Sequence, residues 1–207
     1  MRAIATREDI RDLILDATDR LLARYGYRKM TMEDLAQEVG IGKGTIYLHF
    51  PSKEEVVLSH VDRIVERLKG RLSTIARREG SPTARLREML LARVLFRFDS
   101  VQHYTESLSD LLAALRPGLL TRRRRHFEEE SRIIAEVLRE GKRDGLFELR
   151  DAATTARTLL TATNALLPYS LSARELGKRE DVAIETARVV DLLLYGLLKP
   201  EAKARRG

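Results

Sequence analysis

Apolar residues recur three and four positions apart along most of the 207-residue chain, which is the period of an α-helix and not of a strand. Ile10, Leu13, Ile14, Ala17, Leu21 and Tyr25 form one such stripe. It predicts a first helix over 7–25, capped by Thr6 and closed by Gly26. Residues 31–53, TMEDLAQEVGIGKGTIYLHFPSK, then pack two short helices around a glycine turn. Thr31 can cap the first, with Asp34 three residues on where a capping-box acid would answer it. Met32, Leu35, Ala36 and Val39 share a face, and Gly40 stands where the chain must leave the helix. The next helix starts near Gly42 or Lys43 and is over by Phe50, because Pro51 disfavours helical geometry in the residue before it. At about 100° per residue, Ile46 and Phe50 point inward and Gly44, Thr45 and Leu48 outward. Lys43 and Tyr47 lie on one flank and His49 on the other.

The pattern continues in longer units. Ser52 caps a fourth helix carrying Val56, Val57, Val61, Ile64, Val65, Leu68 and Leu72 until Gly80 and Pro82. A fifth spans about 82–98, with Arg93 and Arg97 between Leu90, Val94 and Phe98. A sixth carries Val101, Tyr104, Leu108, Leu111 and Leu115 and is expected to break at Arg116-Pro117-Gly118. A seventh, with Leu120, Phe127, Ile134 and Leu138, runs to Gly141 and Gly145. Asp151 caps an eighth over 152–167, bent or ended by Pro168. The ninth, about 181–198, has two adjoining stripes, Val182, Thr186, Val189, Leu193 and Ala183, Ala187, Val190, Leu194. That face is too broad for a single seam, so one edge is free for a second protomer.

Composition narrows the class. The chain is 43% hydrophobic and 33% charged, with no tryptophan and few aromatics, as suits a helix-rich chain with a sizeable core. It contains no cysteine, so disulfides and thiolate metal sites are excluded. MRAIATRED has no signal-peptide core, and the apolar stretch 189–198 is short and interrupted by Asp191; no membrane association and a cytoplasmic location are expected. A net charge of +7 suits a polyanionic partner. The excess does not sit at the helix-turn-helix, however: residues 1–53 hold nine Lys or Arg against eight Asp or Glu. Only 40–53 is locally basic, so the motif and not bulk charge carries a nucleic-acid reading.

That motif, GIGKGTIYLHFPSKEEV, resembles the signature of TetR-family transcriptional regulators, a likeness that extends over residues 7–60. Gly42 departs from the serine or threonine common at the cap, and Leu48 from the usual aromatic or polar residue. The resemblance implies an all-α fold of about nine helices, with a three-helix helix-turn-helix DNA-binding domain over 1–51 and a larger ligand-binding and dimerisation domain over 52–207. It implies a double-stranded DNA operator, near-palindromic because a homodimer presents two reading heads. Tyr47 and Lys53 are expected on phosphates, Gly44 and Thr45 nearest base edges, and Leu48 against a thymine methyl. Lys43 and His49 flank the groove; Thr31 is as readily a pure helix cap as a phosphate ligand. The last two helices of the family pair with a partner's, which places Leu159, Thr163, Leu166, Val190, Leu193, Leu194 and Leu197 at the interface. The helices between surround a pocket for a small-molecule effector, and a shift of the fourth helix carries its signal to the head.

For that pocket the candidates are Arg93, Phe96, Arg97, Tyr104, Phe127 and Asn164. A buried arginine or asparagine there needs a partner, which an effector acid or carbonyl can supply. Arg122 to Arg125 followed by Glu128 to Glu130 imitates a second polyanion site, but pairs four apart, Arg124 with Glu128 and Arg125 with Glu129, make it a solvated helix face. His103 and the other three histidines show no metal-ligand spacing. No phosphate-binding glycine loop, nucleophile elbow or acid pair is present, so neither an enzyme nor a cofactor is expected. The alternative function is a helical interaction protein of the same fold that acts through a protein partner.

Overall fold

The computed structural model describes residues 7–168 and 177–196, apart from the side chains of 104–107. All regular structure among them is helical: α1 Arg7–Lys29, α2 Met32–Val39, α3 Lys43–His49, α4 Lys53–Ala76, α5 Pro82–Val101, α6 Thr105–Arg143, α7 Ala152–Thr163 and α8 Arg179–Tyr195. Single 3-10 turns follow α5 and α7 at Gln102–Tyr104 and Asn164–Leu166. Among the described residues no helix is long and apolar enough to cross a membrane.

Local chemistry sets the boundaries. Thr31 and Asp34 form the reciprocal capping box at α2, with Asp34 N–H donating to Thr31 Oγ1 at 3.1 Å and Thr31 N–H to Asp34 Oδ2 at 2.8 Å. Gly40 ends that helix at φ 76°, ψ 34°, a left-handed conformation in which its N–H reaches back to the Ala36 carbonyl at 2.9 Å. Ser52 and Asp151 cap α4 and α7 through side-chain bonds to Glu55 N–H and Thr154 N–H.

Three expectations are corrected. The inward face of α1 is Ile14, Leu15, Ala17, Thr18, Leu21 and Leu22, while Leu13 and Tyr25 stand about half in solvent. The helix packs against α2, α4 and α6 together, so its buried face is turned from the one a single stripe indicates. Thr6, the expected cap, lies outside the described residues.

The expected sixth and seventh helices are one helix, α6, which continues through Pro117. Gly118 serves a crossing and not a break. A Cβ on it would come within 2.5 Å of Leu58 Cδ1, so its hydrogen lets α6 lie directly on α4. The expected eighth helix stops at Thr163 and tightens into the 3-10 turn.

Two apolar clusters hold the helices together. One joins α1–α3 to the first turns of α4 and on to Val94, Phe98, Leu108, Leu111 and Leu115, so the head shares a continuous interior with the helices above it. The other lies between α4, α5, α6, α7 and α8. Paired arginine–carboxylate forks lock α8 to α5 near both ends: Arg179 on Asp99 at 2.7 and 3.1 Å, and Arg87 on Asp191 at 2.6 and 2.9 Å.

Candidate nucleic-acid interface and regulatory cavity

The α2–turn–α3 unit is pinned from within. Ile46 and Phe50 have no solvent exposure. Across the same helix Leu48 is 75% and Tyr47 47% exposed. Gly42, Lys43 and Gly44 are exposed and Thr45 and His49 half-buried. A built Cβ at Gly44 meets nothing within 4 Å, so this edge admits another surface close to the backbone. Gly42 caps α3 without a side-chain bond. Lys43 lies 3.4 Å from Glu33 and remains half in solvent. Burial, then the charges of Arg7 and Arg11, push the His49 imidazole below its usual range.

Lys53 occupies a different position from its neighbours in the motif. Its Nζ donates to the carbonyls of Tyr27 and Met30, both at 3.0 Å, and sits 4.5 Å from the Tyr27 ring centroid. It closes the C-terminal end of α1, with one donor left over. Thr31 has its hydroxyl in the capping box. Lys43, Gly44, Thr45, Tyr47, Leu48 and His49 therefore form one continuous surface, with Thr31 and Lys53 built into its support.

Arg11 was not evident from the sequence as part of this unit. Its guanidinium stacks 4.3 Å from the Phe50 ring centroid, while Nη1 donates to the His49 carbonyl and Nη2 to Ser59 Oγ at 3.2 Å. Ser59 in turn donates to Glu55 at 3.3 Å, and Arg122 of α6 binds the same Glu55 at 2.8 Å. A polar chain thus leads from the end of α3 through α1 and α4 to α6. Arg122 also reaches Asp62 at 2.5 Å, and His126 Nε2 lies 2.6 Å from that carboxylate. Burial raises the Asp62 carboxyl, but the His126 bond and the Arg122 and Arg125 charges outweigh it and leave it below the usual range.

These contacts correct the reading of the arginine run. Arg124 does face Glu128, at 3.5 Å, but Arg125 points to Asp62 and not to Glu129, and Arg122 is an inter-helix clamp. Glu129 is met by Lys69 of α4. Glu66, His126 and Glu129 bring ligand-type atoms within 4.8 Å of one another, a convergence that residue spacing did not reveal. The Lys69 ammonium sits between the two carboxylates, 2.6 Å from Glu66 and 2.5 Å from Glu129, and balances one of their two charges.

Arg122 opens onto a cavity of about 350 Å³ between α4, α5 and α6. Arg93, Arg97 and Phe127 line it; Phe96 and Asn164 do not, and the side chain of Tyr104 lies outside the described residues. Arg93 is only 2% exposed. Its partner is a residue that sequence reasoning missed: Nε donates to Glu130 Oε2 at 2.8 Å, with Nη1 on Thr163 at 3.1 Å and Nη2 on Asn164 at 2.8 Å. The chain itself, not an effector, supplies that counter-charge. The other Glu130 oxygen accepts from Arg97 Nη2. Burial raises the Glu130 carboxyl, yet Arg97 and Arg93 hold it below its ordinary value. Nothing in the helical period distinguishes Glu130 from Glu128 and Glu129.

Of the expected interface residues, Leu159, Thr163 and Val190 are buried within the protomer. The broad face of α8 turns Val182, Thr186 and Val190 inward. Leu166 and Leu194 are half-buried and Leu193 exposed, and Leu197 lies outside the described residues. The outward apolar face of α8 carries Ile184, Leu192 and Tyr195 instead.

The model of bacterial regulatory proteins of the tetR family matches residues 14–59, and that of the tetracyclin repressor-like C-terminal domain matches 82–190. The nucleoid occlusion factor SlmA of Yersinia pseudotuberculosis is 30% identical over 164 residues, 78% of this chain and 83% of its own length. An HTH-type transcriptional regulator of Lactococcus lactis is 38% identical over 81 residues, 39% of this chain and only 41% of that relative. A regulator of the TetR/AcrR family from Thermobifida fusca superposes with a TM-score of 0.67 at 26% identity, over 92% of this chain and 100% of that structure.

Proposed function

The chain belongs to the TetR family of helix-turn-helix transcriptional regulators, and we propose that it is a cytoplasmic repressor: a homodimer that occupies a near-palindromic operator and leaves it when a small molecule enters the cavity. One observation carries the DNA half of this reading. Helix α3 is sealed on the Ile46–Phe50 edge and open on the other, where Gly44 leaves the backbone uncovered. In the docked complex Gly44 and Thr45 face base edges, Leu48 meets a thymine methyl, and Tyr47, Lys43 and His49 hold phosphates on the flanks. Thr31 fixes the start of α2, and Lys53 adds its remaining donor to the adjacent phosphate.

The dimer uses the outward face of α8. Ile184, Arg188, Leu192 and Tyr195 fall on one side of this helix at a spacing of four, four and three, and the two forks to α5 hold it rigid. Effector release follows the polar chain Arg122–Glu55–Ser59–Arg11, which joins a cavity wall to the carbonyl end of α3. A displacement of Arg122 alters the support of Arg11 under α3 and the spacing of the two heads.

The test is an electrophoretic shift of the DNA upstream of the gene and its neighbours. The reading requires a retarded complex that survives excess scrambled DNA, weakens with salt, and dissociates with one compound from an effector panel. The Yersinia relative is named as a nucleoid occlusion factor, which favours retaining a second reading in which the chain acts through a protein partner. A chain that shifts no DNA yet captures a partner from extract would support that reading and refute repression.

A further inference from the structure

The cavity has a chemical bias beyond its size. A volume of about 350 Å³ falls at the small end of the roughly 300–1,000 Å³ typical of small-molecule sites. Val61, Ile64 and Val65 of α4 face Leu108, Leu111 and Leu112 of α6 across it, which makes the walls apolar. Among the described residues the charged lining is mainly cationic: Arg93, Arg97, Arg116, Arg122 and Arg123 share it with one carboxylate, Glu130, while Arg122 is paired with Glu55 and Asp62 and Arg123 also has a partner.

That carboxylate is fully used. Its Oε2 accepts from Arg93 and its Oε1 from Arg97 Nη2. The second terminal nitrogen of Arg97, Nη1, is buried without a hydrogen-bond partner. Six buried side-chain polar atoms make no hydrogen bond among the described residues, and four of them belong to residues lining this cavity: Arg97 Nη1, both nitrogens of His60, whose Nε2 has Asp19 at 3.4 Å, and His126 Nδ1, 3.9 Å from Glu129. Buried donors are satisfied in nearly all folded proteins, so Arg97 Nη1 marks a place where another molecule completes the set. A guanidinium N–H can only donate, so what completes it is an acceptor, and a charged one matches the surplus of arginines.

We propose that the effector is an anionic amphiphile, an organic carboxylate with an apolar alkyl or aryl body, whose carboxylate lies against Arg97 and whose body fills the space between α4 and α6. The inference rests on the regulatory reading of this cavity and adds the ligand class to it. Two consequences are specific to it. An uncharged ligand of the same shape, such as an alcohol, offers Arg97 Nη1 only a neutral acceptor, and a cationic one meets the arginines of the lining. Loss of Arg97 removes the preference while leaving the Arg93–Glu130 pair in place.

The experiment is titration calorimetry on the purified full-length chain with n-alkyl carboxylates from octanoate to palmitate and 4-phenylbutyrate, each beside the alcohol and the amine of equal length. At least one carboxylate is expected to bind saturably and about tenfold or more tighter than its alcohol, with the amine weaker still. In Arg97→Met that ratio falls to near one, and in Arg97→Lys, which keeps a charge, part of it returns. Circular dichroism confirms that both variants fold. Saturable binding of none of the carboxylates, equal binding of the alcohol or amine, or an unchanged ratio in a folded Arg97→Met overturns the proposal. The DNA shift without ligand is measured in parallel. A chain that binds DNA and is released by a non-acidic compound sinks this inference alone, and one that binds carboxylates but no DNA sinks the repressor reading alone.

Discussion

Replacing Glu130 by glutamine changes one atom and tests the electrostatic arrangement of the cavity. The carboxylate is 1% exposed and faces two guanidiniums, one 2% and one 14% exposed. Removing one partner from a buried ion pair typically costs about 3–5 kcal/mol, because the surviving charge stays desolvated and unmatched. Here the amide keeps one acceptor oxygen but turns an NH2 toward the other guanidinium, and both guanidiniums lose their counter-charge, so the upper part of that range is expected. Arg97→Met is the informative comparison. It leaves Arg93 with Glu130, Thr163 and Asn164, and removes one charge-assisted bond at a partly solvated group, about 1–2 kcal/mol.

The assay is urea unfolding followed by far-ultraviolet circular dichroism, at one protomer concentration because dimer stability depends on it. For a slope of about 3 kcal/mol/M, Glu130→Gln lowers the midpoint by roughly 1 M or more, and Arg97→Met by about half that or less. Equal shifts, or a larger one for Arg97→Met, would show that Glu130 does not serve both arginines.

Three further outcomes are expected. Tyr47→Ala weakens binding to specific and scrambled DNA alike, whereas Thr45→Ala changes preference at particular base pairs by about 1–3 kcal/mol, read by fluorescence anisotropy on single-substituted duplexes; uniform loss in the Thr45 variant removes it from base readout. Ile184→Glu with Leu192→Glu yields a folded monomer by sedimentation, while the same change at the buried Val190 unfolds the protomer; a dimer in the first case moves the seam off α8. The Asp62 and Glu130 carboxyls lie below their ordinary values, so their stabilisation is complete above about pH 4, the unfolded range, and is lost as pH falls through their lower folded values. Melting temperature therefore drops below pH 4, and Asp62→Asn lessens that dependence; a variant with the parental pH profile contradicts the assignment.

The legible parts of the chain were those governed by short-range rules. The capping box at Thr31, the left-handed Gly40 and the inward pair Ile46 and Phe50 all follow from spacings of at most four residues, and all are present. What escaped depends on helices that meet from afar. Pro117 and Gly118 look like a break, and only the crossing of Leu58 explains why the helix continues with a glycine there. Arg122 looks like one of four solvated arginines, and its partners Glu55 and Asp62 are 67 and 60 residues away. Glu130 is the clearest case. A buried glutamate is identified by the two arginines of α5 that close over it, and neighbouring glutamates in the same run share its local signal. The two stripes of α8 were visible as a pattern, but which of them faces the interior is set by where α5 lies.

The account depends most on α3 reading a duplex with its open edge, and the direct measurement is selection of a random DNA pool on the purified chain, followed by anisotropy with the selected sequence. The predicted result is enrichment of a near-palindromic site bound at least about a thousandfold more tightly than scrambled DNA at physiological salt, with Thr45→Ala altering the selected bases. A pool that stays random after repeated rounds, or equal affinity for selected and scrambled duplexes, would contradict it.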